Sequence, residues 1–216
     1  MTEYRRPVWA EIDLAAIASN VEALCDLLEP PTQLMAVVKA DGYGHGATHI
    51  AKVAVSSGAH RLGVALIEEA IELRAAGIDV PIHIFGEAPA QAARDIIEHD
   101  LIPTVFSRTL PEALSAAAAE WRKSVKVHVK VDTGMHRVGL RPDECVDFLR
   151  WCEALPNLEV EGIYTHFATA ERCDEPTADE QLRLFRHLAR DLDREGLLPP
   201  IKHTANSAAT HALRQT

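Results

Sequence analysis

The stretch Leu34-Met-Ala-Val-Val-Lys-Ala-Asp-Gly-Tyr-Gly-His-Gly46 decides the fold class. Its first five residues are all apolar, which indicates a strand that is buried on both faces. Its last five residues have glycine at every second position, so the backbone there can turn sharply and approach a ligand closely. A buried strand that runs into such a loop is the first half of a βα unit.

The rest of the chain repeats this alternation of strand and helix. One helical pattern begins after an N-cap at Asp13 and ends before Pro30 and Pro31. Another begins at the capping box Thr177-Ala-Asp-Glu180 and ends before Gly196. Strands that are separated by helices predict a parallel sheet. The predicted strands are residues 33–40, 61–67, 82–86, 103–107, 125–132, 160–167 and 201–204.

Repeated βα units form either an open doubly wound sheet or a closed barrel. The first strand is not followed by the GxGxxG loop of a dinucleotide-binding sheet, which favours the barrel. We therefore predict a TIM-type (β/α)8 barrel over residues 13–216, incomplete because seven strands are found where the fold needs eight. Residues 7–13 alternate apolar and polar side chains, which predicts one short further strand outside the barrel.

Composition and charge exclude several classes of protein. Apolar residues make up 47% of the 216 residues and charged residues 25%, as in ordinary globular domains. The net charge of −10 disfavours binding to nucleic acids or acidic lipids, and no apolar run is long enough for a membrane span. We expect a cytoplasmic protein with reduced cysteines and no metal site, because the cysteines lack a CxxC pair. They are Cys25, Cys145, Cys152 and Cys173.

Lys39 closes the first predicted strand, and the chemistry of α/β barrels lies at the carboxyl ends of their strands. A lysine at the end of an apolar strand is costly unless its amine is paired, neutralised or covalently bound. A simpler interpretation is that the stem is buried and the amine reaches solvent. The glycine-rich loop with Tyr43 and His45 favours a functional role for the lysine.

Five motifs in the chain resemble those of the bacterial alanine racemase family, which depends on pyridoxal 5'-phosphate (PLP). The resemblance covers essentially the whole chain in order, and the motif around Lys39 is the most specific. The motifs are Trp9-Ala-Glu-Ile-Asp-Leu14, Val37-Val-Lys-Ala-Asp-Gly-Tyr-Gly-His-Gly46, Lys130-Val-Asp-Thr-Gly-Met-His-Arg-Val-Gly139, Thr165-His-Phe-Ala168 and Asn206-Ser207.

The resemblance implies roles for Lys39, Tyr43, Arg137 and Lys130. Lys39 would hold PLP covalently and act as one of two bases in racemisation, and Tyr43 would bind the cofactor phosphate. Arg137 would contact the phenolic oxygen of PLP and the substrate carboxylate. Lys130 would lie beside Arg137 and carry a carbamate. From the residues alone, a surface salt bridge for Arg137 and an edge position for Lys130 remain open.

The resemblance also implies that His166 belongs to a hydrogen-bond chain behind the cofactor ring, and that Asn206 and Ser207 lie near the phosphate. Ser207 follows the last predicted strand at a helix start, where barrels often bind phosphate. The alternatives are a buried structural histidine at position 166 and a simple N-cap at Ser207. Lys126 and His128 are interpreted as structural.

The chain departs from the family pattern in two places. It has His136 where the family usually has glycine. The added side chain restricts the φ and ψ angles that the backbone can adopt directly before Arg137. The family also continues beyond position 216 with an eighth strand and a C-terminal β domain. That domain would pair with residues 1–12, and it supplies a tyrosine, the second base, across a homodimer interface.

The resemblance therefore implies an amino-acid racemase, an isomerase that interconverts L- and D-alanine and supplies D-alanine for peptidoglycan. We expect the 216-residue chain to be weak or inactive by itself, because the second base lies outside it. A non-catalytic PLP-binding protein of the PLP homeostasis type is the alternative, and a serine or broad-specificity racemase would share the same motifs.

Overall fold

The computed structural model describes residues 8–171 and 177–212. Its contacts divide the chain into two compact units, Met1–Ile82 and His83–Thr216. Within the described ranges, none of the helices has the length and apolar character required to cross a bilayer. Cys25, Cys145 and Cys152 are free thiols, and Cys173 lies outside the described residues.

In its described part, from residue 8 onward, the first unit contains two parallel strands and four helical segments. Helix α1 begins after Asp13, whose carboxylate accepts hydrogen bonds from the N–H groups of Ala15 and Ala16, as an N-cap does. Strands β1 and β2 pair in parallel, with Met35 beside Arg61. The elements are α1 Leu14–Leu27, β1 Met35–Val37, the turn α2 Lys39–Gly44, α3 Ala47–Ser56, β2 Arg61–Val64 and α4 Ile67–Ala75.

The second unit continues the alternation, with five parallel strands among the residues that the structure describes. Strand β5 pairs with β4 on one side and with β6 on the other, and β6 pairs with β7. The elements are β3 Ile82–Ile84, α5 Ala93–Glu98, β4 Ile102–Val105, α6 Thr109–Trp121, β5 Val125–Lys130, α7 Cys145–Glu153, β6 Leu158–Tyr164, α8 Thr177–Arg194, β7 Ile201–His203 and α9 Ser207–Ala212.

All seven predicted strands are present, and their sheet order is the order of the chain. The apolar stripe predicted for α8 is also present, since Phe185, Leu188 and Leu192 are buried. That helix already includes Thr177, so this residue is a helical residue and not the predicted N-cap.

The short strand predicted for residues 7–13 is not found. Residues 8–13 adopt no strand pairing with any other described residue, and Pro7 lies outside the described ranges. An isolated extended segment cannot satisfy its own N–H and C=O groups, so a strand needs a partner. Its pairing with a β domain stays a prediction.

Candidate functional site

Directly after β1, the backbone makes one left-handed turn. Ala40, Asp41, Gly42 and Tyr43 have φ values of 51°, 54°, 60° and 57°. A left-handed helical conformation costs a residue other than glycine about 1–2 kcal/mol. Strained backbone of this kind persists only where the surroundings enforce it, and it is concentrated at functional sites.

The carboxylate of Glu69 supports this turn from helix α4. Its Oε1 accepts a hydrogen bond of 2.6 Å from the N–H of Ala40. Its Oε2 accepts bonds of 2.7 Å and 3.0 Å from the N–H groups of Ala65 and Leu66. One side chain therefore joins the left-handed turn to the start of α4, and hydrogen bonds to a charged acceptor are the strong ones.

The other end of the turn is fixed to helix α3. Asp41 Oδ1 accepts a hydrogen bond of 2.7 Å from the N–H of Ala47, the first residue of α3. A Cβ added at Gly42 would lie 3.3 Å from the backbone Cα and N of Ala47. The predicted need for glycine in this loop is thus met at Gly42, Gly44 and Gly46, which all have positive φ.

The turn brings Lys39 and Tyr43, two residues of one motif, close to each other. Lys39 Nζ lies 5.9 Å from the centroid of the Tyr43 ring. Lys39 is half-buried, and Tyr43 is 59% exposed. The amine and the phenol are two hydrogen-bond donors that an anionic ligand can use.

In the second unit, Lys130 is buried near the end of strand β5, with 4% of its surface exposed. Because β5 pairs with strands on both sides, the edge position left open for Lys130 is wrong. Its Nζ lies 4.6 Å from the centroid of the Tyr164 ring. The pKa of Lys130 is lowered to about 8, mainly by burial and also by the charge of Arg137, while the charge of Asp132 acts in the opposite direction.

Tyr164 shares this environment. Burial raises the pKa of its hydroxyl, while the hydrogen bond between this hydroxyl and that of Thr104 and the charge of Arg137 act in the opposite direction. The Tyr164 and Thr104 hydroxyl oxygens are 2.7 Å apart. Arg137 thus acts on both Lys130 and Tyr164, although its own side chain is exposed.

His136 occupies a backbone conformation that favours glycine, with φ at +54°. Asp132 compensates for this, because its Oδ1 accepts the N–H groups of Gly134 and His136. Its Oδ2 also lies 3.2 Å from His136 Nδ1. Burial alone would raise the pKa of Asp132, but these hydrogen bonds outweigh it and hold the pKa below its usual value. The departure from the family glycine is therefore accommodated by one carboxylate.

His166 lies just after β6 and is half-buried. Its carbonyl oxygen accepts a hydrogen bond of 3.1 Å from Nε2 of Gln181 on α8. The same Nε2 lies 3.3 Å from Thr133 Oγ1, and Gln181 Oε1 accepts the N–H of Ala168 at 2.9 Å. One buried amide thus joins the loops that follow β5 and β6.

Asn206 and Ser207 lie at the start of α9. Asn206 is the N-cap, because its Oδ1 accepts a hydrogen bond of 2.9 Å from the N–H of Ala209. Ser207 is the first helical residue and is exposed, so the simple N-cap considered for it is wrong. Nearby, the buried hydroxyl of Thr204 makes no hydrogen bond within residues 8–171 and 177–212.

Two important residues were not predicted from the sequence, namely Glu69 and Gln181. Glu69 lies two residues into α4, where an acidic side chain looks like an ordinary helix-start residue. Gln181 follows the predicted capping box and lies on the apolar face of α8. Its position on that face is the one signal that the sequence offers. A polar residue on a helix face that is otherwise apolar marks a hydrogen-bonding role.

Comparison with known proteins gives the family. A family model described as the alanine racemase N-terminal domain matches residues 12–216. The alanine racemase of Desulfovibrio desulfuricans is 46% identical over 213 residues, which cover 99% of this chain and 57% of that protein. The alanine racemase of Methanococcus maripaludis is 43% identical over 204 residues, with coverages of 94% and 55%.

Solved structures agree with this result. An alanine racemase of Clostridium difficile 630 in complex with cycloserine superposes with a TM-score of 0.93 at 34% identity, covering 99% of this chain and 59% of that one. The alanine racemase of Bacillus anthracis with bound L-Ala-P gives a TM-score of 0.89 at 38% identity, with coverages of 97% and 54%.

The chain therefore belongs to the alanine racemase family and matches its N-terminal domain. The predicted fold class, the TIM-type α/β barrel of that domain, is confirmed. The chain spans 57% and 55% of the two curated relatives described above, little more than half of their length.

Proposed function

We propose that this chain takes part in the PLP-dependent interconversion of L- and D-alanine, in the cytoplasm, as a source of D-alanine for peptidoglycan. The observation that carries the proposal is the left-handed turn that holds Lys39 and Tyr43 side by side. Membership of the alanine racemase family supports the reaction.

The residues present fit PLP by the chemistry of their donors. The cofactor carries an aldehyde, a phosphate and a phenolic oxygen, and the chain offers an amine at Lys39, a phenol at Tyr43 and a guanidinium at Arg137. The buried Thr204 hydroxyl, without a hydrogen-bond partner in the described ranges, adds a further polar group near Asn206.

When bound, PLP withdraws electrons from the α-carbon of an attached amino acid and makes its α-proton acidic. Lys39 would hold the cofactor through its amine, and then accept or return the α-proton on one face of the α-carbon. Tyr43 would donate its O–H to the phosphate. Arg137 would bind the substrate carboxylate with its planar pair of N–H donors.

Lys130 is proposed to carry a carbamate. A buried ammonium beside the charge of Arg137 is unfavourable, since like charges repel and burial removes hydration. Addition of CO2 to the neutral amine releases one proton and leaves a carbamate anion on Nζ. That anion would attract Arg137 and so hold its guanidinium in place.

His166, Asn206 and Ser207 complete the proposed site. His166 would contribute to the hydrogen-bond chain behind the cofactor ring, and Gln181 supports it by bonding to its carbonyl oxygen. Asn206 and Ser207 would lie near the phosphate. Since the chain spans little more than half of the length of its relatives, the second base and the homodimer are proposed for a protein of the relatives' length.

The assignment of Lys39 is tested by reductive labelling. The chain is incubated with PLP, reduced with borohydride and digested, and the labelled lysine is identified by mass spectrometry. We expect a visible absorbance band of lysine-bound PLP and one label, on Lys39. Lys39→Ala should lose both, whereas Lys52→Ala, which removes an exposed lysine of α3, should retain both.

Unchanged labelling in Lys39→Ala would show that PLP reacts elsewhere and would overturn the assignment. Labelling of Lys39 without any racemisation or α-hydrogen exchange would favour the non-catalytic PLP-binding alternative.

A further inference from the structure

We propose that Glu69 is a positioning residue for Lys39: through its hydrogen bond to Ala40, it fixes the direction of the lysine side chain and thereby sets how tightly the chain binds PLP. The inference rests on the proposed function, which assigns the attachment of PLP to Lys39. Attachment joins the lysine nitrogen to the aldehyde carbon of PLP and releases one water molecule. Glu69 acts on this step through the backbone, without touching the reacting atoms.

The backbone is held by a hydrogen bond on each side of Lys39. The peptide group before this residue contains the carbonyl oxygen of Val38, which accepts the N–H of Gly42 at 2.9 Å. The peptide group after it contains the N–H of Ala40, which donates to Glu69 Oε1 at 2.6 Å. Because peptide groups are planar, fixing the two that flank a Cα fixes both of its backbone dihedral angles and the direction of its Cα–Cβ bond.

These two bonds attach the lysine to different parts of the molecule. The first lies within the left-handed turn and moves with it. The second connects the turn to helix α4, because the other carboxylate oxygen of Glu69 accepts the N–H groups of Ala65 and Leu66. A carboxylate that holds three donors is itself restricted in rotation, and hydrogen bonds to a charged acceptor are stronger than those between neutral groups.

The turn depends on such support because its conformation is strained. Ala40 and Asp41 have φ values of 51° and 54°, in the left-handed region that disfavours residues other than glycine. Without an acceptor for the N–H of Ala40, this peptide group can rotate toward a right-handed conformation, and the amine of Lys39 then has several directions in place of one. A group that must become ordered on binding weakens the affinity, whereas a group that the fold has already ordered does not.

A purely structural role for Glu69 is the competing explanation. Glu69 accepts the N–H of Leu66, the residue before α4, and this is the bond that the acidic member of a capping box makes. If this were its whole role, loss of the carboxylate would lower stability and leave PLP binding unchanged. The bond to Ala40 lies outside the capping box and joins residues 29 positions apart.

The test compares PLP binding and stability in the unmodified 216-residue chain and in Glu69→Gln. Glutamine keeps the size of the side chain but has one acceptor oxygen, so it can hold either Ala40 or the start of α4. The Kd for PLP is measured from the absorbance of the lysine-bound cofactor. Circular dichroism in the same band, per bound PLP, reports whether the cofactor is held in one orientation, and thermal unfolding without PLP reports stability.

Glu69→Gln should raise the Kd for PLP about tenfold, which corresponds to about 1.4 kcal/mol and matches the loss of one hydrogen bond to a charged group. The circular dichroism per bound PLP should fall as well, even at saturation, because the lysine no longer has one direction.

Two matched variants separate positioning from structure. Glu68→Gln removes a charge from the same first turn of α4 at an exposed position, and should keep the Kd within about twofold. Glu87→Gln changes another half-buried carboxylate, whose Oε1 accepts the N–H groups of Phe106 and Ser107 at 2.8 Å in a loop without residues of the proposed site. It should lower the melting temperature, as Glu69→Gln does, but keep the Kd and the circular dichroism.

A Kd and a dichroism signal in Glu69→Gln equal to those of the unmodified chain would overturn the proposal, as would equal losses in Glu87→Gln. If Glu69→Gln does not fold, Glu69→Asp decides. Aspartate keeps the favourable charge at the helix start but is one methylene too short to hold both ends, so unchanged PLP binding in this variant would also overturn the proposal. If the unmodified chain itself does not bind PLP at Lys39, the proposed function is wrong and this inference falls with it, which distinguishes the two failures.

Discussion

Ala40 and Gly42 have nearly the same backbone conformation, with φ values of 51° and 60°, but only glycine adopts it without steric cost. The strain at Ala40 is offset by the hydrogen bond from its N–H to Glu69. At Gly42 the missing side chain also makes room for the backbone of Ala47. The two positions therefore predict opposite responses to the exchange of alanine and glycine.

Gly42→Ala should lower the free energy of unfolding by about 1–2 kcal/mol, because alanine pays the left-handed penalty at that position. Its Cβ would also press on Ala47 from 3.3 Å. Ala40→Gly should leave stability unchanged or raise it slightly, since relief of the same penalty exceeds the about 0.4–1 kcal/mol that glycine adds to the entropy of the unfolded chain. Urea unfolding measures both, and equal losses in the two variants would contradict the left-handed geometry.

At the scale of elements, α8 packs its apolar face inward and also carries Gln181, which is 2% exposed. Through this amide the helix holds the loop after β5 at Thr133 and the loop after β6 at Ala168 and His166. Both loops carry residues of the proposed site. Helix packing and loop position are thus coupled.

Gln181→Leu should lower the free energy of unfolding by about 1–3 kcal/mol, because it removes the buried amide and leaves the partly buried N–H of Ala168 without its acceptor. The same substitution at the exposed Gln91 provides the matched control and should change stability by less than about 0.5 kcal/mol. Thermal or urea unfolding reports both. Equal effects of the two substitutions would show that the Gln181 bonds contribute nothing.

The element order could be predicted from the sequence, but the strand ends could not. Six of the seven predicted strands continued beyond the observed ones by two or three residues, as at Val38 and Phe167. Both residues are 1% exposed although they lie after the last residue of a strand. Hydrophobicity reports burial and not pairing, so an apolar pattern does not mark where the hydrogen-bonded ladder ends.

The candidate residues that are neighbours in the sequence could be found by their motif, and their roles stay predictions. Lys39 and Tyr43 share one motif, and the structure brings them together. Glu69 supports the same turn from 29 positions away, and Gln181 lies 48 positions from Thr133. Contacts between residues so far apart in the sequence depend on how elements pack, and a single sequence does not encode them as a local pattern.

At the scale of the whole molecule, the chain spans little more than half of the length of its curated relatives. Inversion at the α-carbon requires proton donors on opposite faces of that atom. Lys39 is proposed for one face. The chain has three tyrosines, Tyr4, Tyr43 and Tyr164. Tyr43 is assigned to the phosphate, Tyr164 is buried against Thr104, and Tyr4 lies outside the described residues.

The 216-residue polypeptide loaded with PLP should therefore racemise alanine at least about 100-fold more slowly than a full-length relative, since one acid–base group contributes about 10²–10⁴-fold. Exchange of the α-hydrogen of one enantiomer with D2O should persist, because Lys39 serves one face alone. Proton NMR and chiral chromatography separate the two outcomes. Racemisation at the rate of a relative would show that a second base lies within these 216 residues.

The three amide hydrogen bonds of Glu69 also matter for protein engineering. A loop copied from position 39 to position 46 into another barrel would carry its lysine, its tyrosine and its glycines, but not the carboxylate that holds Ala40. In the new host the segment would relax toward ordinary right-handed or extended conformations, and the lysine would lose its fixed direction. The transplantable unit is therefore the loop together with the start of the second helix that follows it, and a library that varies the loop must keep glutamate at the position of Glu69.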